Sequence, residues 1–152
     1  KMYDEELILS LLIIDESNDN EYFFHKYKTS NALNMRLMNI KLNFENFKKK
    51  NFFSEKSIKK LIYLSSKKYV LDLLLFSICL KNKNKIGDIE NLFNFIKNYK
   101  IPIFPISGED LKQHGYKAGH ELGAKLKSLE LKWIEDNFIV DKKLVLKSLN
   151  KI

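Results

Sequence analysis

Lys112, His114, Lys117, His120 and Lys125 crowd into one short stretch, threaded by Gly115, Gly119 and Gly123 at intervals of four. Cationic and imidazole donors around bare backbone suit the holding of a phosphate. Free N–H groups at a helix start, aided by the helix dipole, grip an anion without reading a base. The lysines add charge and the two histidines add hydrogen bonds. The competing reading is structural: the glycines serve as helix caps and packing positions.

Other chemistry is less well provided for. Glu109 and Asp110 are adjacent, so they point to different faces and do not form a metal-holding or acid/base pair. His114 and His120 are six apart with no Cys or third ligand nearby, which argues against zinc. No P-loop, Gly-x-Ser-x-Gly or Cys/His pair with an orienting group is present. The aromatics Tyr22, Phe23, Phe24, Phe52, Phe53, Phe93 and Phe95 can stack on bases, but at helical spacing they read as core. No catalytic residue and no metal ligand is assigned.

The elements around this stretch read as helices. Ile101–Ile106 (IPIFPI) is extended, because a residue before proline is pushed out of the α region. Ser107 caps a short helix to His114, with Asp110 at the capping-box position. Gly115 is placed to stop it in a left-handed C′ conformation. A hairpin follows at Tyr116–Ala118. A second helix runs from Gly119 to Phe138, roughly 30 Å at about 1.5 Å per residue. Leu122, Leu126, Leu129, Trp133 and Phe138 form its apolar stripe, with Gly119 and Gly123 on the same side to admit another backbone. Glu121, Lys125, Ser128 and Lys132 form the wet side, and Asp141 caps a last helix, Lys142–Leu149.

Upstream, Tyr3–Ile14 reads as a helix with Asp4, Glu5 and Glu6 in its first turn, where the dipole favours acids. An acidic loop and an aromatic helix, Glu21–Tyr27, follow, with Tyr22, Phe23 and Phe24 directed to the core. Ser30 caps Asn31–Asn39, and Asn43 caps a short helix bearing Phe44 and Phe47. Ser54 starts a helix with Ile58, Leu61 and Ile62 on one face. Lys67–Leu80 is apolar nearly all round and reads as a central buried helix, with Cys79 a buried small hydrophobe. Asp88 caps Ile89–Tyr99. The fold class is all-α, an irregular set of about 8–10 helices, with a body-like part at 1–100 and a helix-hairpin-helix part at 101–152, expected to pack as one unit.

Composition agrees. The 152 residues are 45% hydrophobic with only 5 Gly and 2 Pro, too few for the frequent turns of an all-β chain. The longest apolar run, Leu7–Ile14, falls far short of the ~20 residues that span a bilayer, so no membrane partner is expected. A lone cysteine fits a reducing, cytoplasmic setting. The net charge of +8 suits a polyanion, although Arg36 is the only arginine among 27 cationic residues. The chain begins with Lys1 rather than Met, which reads as the later part of a longer polypeptide.

The stretch Phe104–Trp133 resembles the C-terminal signature of the bacterial class II tRNA nucleotidyltransferases, the CCA-adding enzymes, and their poly(A) polymerase relatives. Pro105, Gly108, Asp110, Leu111, Gly115, Gly119, Gly123, Leu126 and Trp133 carry the resemblance in order and spacing. NMRLMN (Asn34–Asn39) and YVLDLLLF (Tyr69–Phe76) are similar to the family's Arg-bearing and Asp-centred segments. The family's Pro-Gly-Pro is replaced by Ala118-Gly119-His120. Its head motifs, Gly-Gly-x-x-Arg-Asp and the Asp-x-Asp that holds Mg²⁺ for nucleotide transfer, do not occur in this sequence.

The resemblance implies a helical C-terminal region that grips tRNA or another structured RNA and positions its 3′ end for a catalytic head, of the same or a separate chain, where Mg²⁺ and ATP or CTP would bind. Lys112, His114, Lys117, Gly119, His120, Lys125 and Arg36 are the expected phosphate contacts. A helix-hairpin-helix DNA-binding module and a protein-interaction module without catalysis are the rival readings.

Overall fold

The structure is a computed structural model that describes residues 4–15, 19–44, 46, 51–80 and 89–149. The described residues form nine helices and no strand, so the chain is all-α. Two compact units are present, Lys1–Tyr99 and Lys100–Ile152.

The first unit holds α1 (Glu5–Ile13), α2 (Asp19–Tyr27), α3 (Asn31–Phe44), α4 (Glu55–Leu64), α5 (Lys67–Leu80) and α6 (Ile89–Asn98). Side-chain oxygens start four of them. Asp4 accepts from Leu7 N–H, Ser30 from Leu33 N–H, Ser54 from Ser57 N–H and Ser66, at the start of α5, from Tyr69 N–H, each satisfying a donor that lacks an intrahelical partner. Helix α5 is central and touches α1, α3, α4 and α6. It divides two apolar clusters. Leu73 and Phe76 join Leu7, Ile14, Leu37 and Ile40. Val70 and Leu74 join Ile58, Ile62 and Ile96. Burial of each such side chain stabilises by roughly 1.5–3 kcal/mol. Two buried serines bond back into their own helices, Ser10 to the Leu7 carbonyl and Ser77 to the Leu74 carbonyl.

Several expectations are corrected here. Helix α3 does not stop at Asn39. Asn43 lies within it and donates to the Asn39 carbonyl and the Tyr69 hydroxyl, rather than capping a new helix. Cys79 is exposed, because it falls on the side of α5 away from both clusters. Tyr22 is 64% exposed, and of the α2 aromatics Phe24 packs on the core. Phe47 and the Asp88 cap lie outside the described residues.

The second unit holds α7 (Gly108–Gln113), α8 (His120–Glu135) and α9 (Lys142–Ser148) around Ile106, Leu111 and Leu149. Both longer turns close by the same device. At the end of α7, Tyr116 N–H donates to the Leu111 carbonyl at 3.2 Å and Gly115 N–H to the Lys112 carbonyl at 3.0 Å. This is a Schellman motif, with Gly115 at φ 89°. At the end of α8, Phe138 N–H donates to the Trp133 carbonyl at 2.8 Å and Asn137 N–H to the Ile134 carbonyl at 3.2 Å. Asn137 takes the left-handed position at φ 58°. Helix α8 therefore ends at Glu135, and Phe138 is not part of it. The Phe138 ring instead returns edge-on to Trp133 at 5.0 Å, and Trp133 also meets Phe104 at 5.2 Å.

Candidate functional site

The capping box that precedes the hairpin is complete. Asp110 N–H donates to Ser107 Oγ at 3.2 Å, and Ser107 N–H donates to Asp110 Oδ2 at 2.7 Å. Lys142 Nζ, at the start of α9, lies 2.8 Å from the same oxygen. The Lys142 ammonium, then the backbone N–H and hydroxyl of Ser107, hold the Asp110 carboxyl down at about 2. Asp110 thus joins α7 and α9 within one unit.

The expected phosphate ligands spread along this frame. Lys112, in the last turn of α7, pairs with Glu109 at 3.0 Å with both side chains largely exposed. His114 is the C-cap residue of α7, with Nδ1 2.8 Å from the Asp110 carbonyl oxygen. A carbonyl only accepts, so Nδ1 carries the hydrogen in this contact. Lys117 is exposed in the hairpin. Gly119 is the N-cap of α8 at φ 140°, with no side-chain cap, and exposed His120 is the first helical residue. Lys125 is five residues further on, roughly 140° around the helix at 3.6 residues per turn, so it does not share the His120 side. Lys127, two turns after His120, does share it and is exposed. Spacing by seven was the signal for it.

The glycines differ from expectation. Among the described residues, a Cβ at Gly119 or Gly123 would meet no atom within 4 Å beyond its chain neighbours and own helix, so neither packs against another described backbone. Gly108 is the close one, with Leu122 Cδ2 3.4 Å from such a Cβ.

Arg36 lies in the other unit and is committed there. Nε donates to Asp72 Oδ2 at 2.8 Å and Nη2 to Asp72 Oδ1 at 2.7 Å. Nη2 also reaches Asp4 Oδ2 at 2.5 Å, while Nη1 reaches Asp4 Oδ1 at 2.9 Å and Glu6 Oε2 at 2.7 Å. A guanidinium has five N–H donors, and these contacts use all of them. The side chain is 12% exposed. Hydrogen bonds from Asp72 first, then Asp4, raise the guanidinium above its ordinary range, and Arg36 in turn lowers Asp4. This arginine ties α1, α3 and α5 together and has no donor left for a phosphate.

Among the described residues no group of three or more His, Cys, Asp or Glu side chains is placed to hold a metal. No described helix is long and apolar enough to cross a membrane.

No family model matches the chain. Over 60 residues it is 33% identical to the mitochondrial CCA tRNA nucleotidyltransferase 1 of Danio rerio and 32% identical to that of Homo sapiens. The Mus musculus protein of the same name is 30% identical over the same length. The matched stretch is 40% of this chain and 14% of each relative. A region of this chain is thus similar to CCA tRNA nucleotidyltransferases, and that region is a small part of those enzymes.

Proposed function

We propose that this chain is the tRNA-binding C-terminal region of a CCA-adding tRNA nucleotidyltransferase of the bacterial class II type. It positions the tRNA 3′ end for nucleotide addition by a catalytic head. The observation that carries the reading is the 60-residue similarity to CCA tRNA nucleotidyltransferases. The Ser107–Asp110 box, the Gly115 turn and the Gly119 cap, which follow the family's spacing, support it. Contact is to the RNA backbone and its shape, as for structured RNA generally. Lys112, His114, Lys117, Gly119, His120 and Lys125 are the contacts in the second unit, and Arg36 is reassigned to the fold of the first.

The test is binding of the chain to a tRNA transcript against duplex DNA of equal charge across a salt series. The expected result is preference for tRNA and affinity that falls steeply with salt, weakened by Lys117→Glu. Equal affinity for duplex DNA favours the helix-hairpin-helix rival. Absence of RNA binding, with capture of a protein partner after nuclease treatment, favours the protein-interaction rival.

A further inference from the structure

The positive charge of this chain is not centred on the hairpin. Residues 1–40 carry 4 cations and 7 acids, and residues 101–152 carry 9 and 7. Residues 41–100 carry 14 lysines against 5 acids, so they supply more than the whole molecule's net charge. One of those acids, Asp72, is buried on Arg36.

The fold gathers several of these lysines. Lys67, the first residue of α5, donates to the Lys97 carbonyl at 2.7 Å, at the end of α6. Lys59, on α4, sits 6.0 Å from the centre of the Tyr99 ring, just past the same end. Lys97 itself lies 4.5 Å from the Phe93 ring, and the Phe95 and Tyr99 rings meet tilted at 5.5 Å and 31°. The end of α6 thus gathers Lys59 against the Tyr99 ring, Lys97 against the Phe93 ring and Lys67 against a backbone carbonyl. Attraction to the negative end of the α6 dipole accounts for Lys67. It does not account for Lys56 and Lys60. These are one turn apart, exposed, and turned away from Ile58 and Ile62 on the buried side of α4. Neither has an ion-pair partner among the described residues.

We infer that the outer side of α4 is a second surface for the RNA backbone, with Lys56 and Lys60 as its phosphate contacts. Fourteen lysines against five acids over residues 41–100 suit a polyanion, whose phosphates the ammonium groups meet. The inference rests on the reading of the chain as RNA-binding. It adds that the binding charge resides chiefly in the first unit.

The experiment measures binding of a tRNA transcript to the whole chain, with Lys56→Gln/Lys60→Gln compared with wild type. Both residues are exposed, and circular dichroism checks that the fold is kept. The slope of log Kd against log salt is expected to fall by about 2, roughly 1 per phosphate contact, with about tenfold weaker binding at low salt. Lys26→Gln, on α2 within the acidic part of the sequence, serves as the control and keeps the wild-type slope. An unchanged slope in the double variant, alongside weakened binding by Lys117→Glu, overturns this inference and leaves the functional proposal standing. Absence of salt-dependent tRNA binding by wild type overturns both. Loss of binding to phosphatidylserine vesicles, with tRNA binding intact, overturns it in favour of a membrane surface.

Discussion

The Arg36 guanidinium and the Asp72 carboxylate meet edge to edge, with two parallel hydrogen bonds of 2.8 and 2.7 Å between helices α3 and α5. Asp72 is 6% exposed. A carboxylate left there alone would be desolvated without compensation, so the pair costs more to break than it contributes.

Arg36→Ala is therefore expected to destabilise the first unit by about 3 kcal/mol, since breaking a buried pair at one partner typically costs 3–5. Arg36→Lys will not restore it, because an ammonium cannot make the two-pronged contact. Asp4→Asn, at the exposed rim, costs about 1 kcal/mol or less. Urea unfolding followed by far-ultraviolet circular dichroism checks the order, and equal loss from all three sinks the assignment.

Gly115→Ala places a Cβ at φ 89° in the Schellman turn. About 1–2 kcal/mol of strain is expected, whereas Asn137→Gly, at φ 58° in the matching turn, is neutral or slightly stabilising. Trp133 is the only tryptophan and lies in the second unit. Its fluorescence in denaturant therefore reads these two variants directly.

Acid will loosen the second unit through Asp110. Its folded-state carboxyl, at about 2, is below the ordinary 3.8. A lowered value contributes stability at pH above 3.8 and loses it as pH falls from there through about 2. Lys142→Met removes the largest cause of the shift, so the Trp133 acid transition should move to higher pH. A transition unchanged by Lys142→Met would show that the pair with α9 contributes nothing in solution.

Cys79 is expected to react with a thiol reagent in the folded protein at a rate near that of the unfolded chain, since it is exposed. A thiol that reacts only on unfolding would place it back in the core. Thiol titration with and without urea distinguishes the two.

Much of the helix pattern was legible because its signals are short-range. Ser107 with Asp110, Asp141, Ser54 and Ser30 each act on an N–H two or three residues away. The apolar spacing in α4 and α6 likewise needs no knowledge of the partner helix. The end of α8 was misread because Asn137, not glycine, takes the left-handed turn, and Phe138 continues the apolar spacing beyond the helix.

The expected phosphate cluster was only partly gathered, since spacing does not say which face a neighbouring helix will cover. Gly123 matched a packing stripe in sequence and faces open space in the fold. Arg36 shows the limit most clearly. Its residue type suited a phosphate, but the fold brings it to Asp72, 36 residues away, and to Asp4, 32 residues away. Capping and periodicity are local and can be read along the chain. Which charges are already spent on one another depends on contacts distant in sequence, and here those contacts turned an expected ligand into a clasp between α1, α3 and α5.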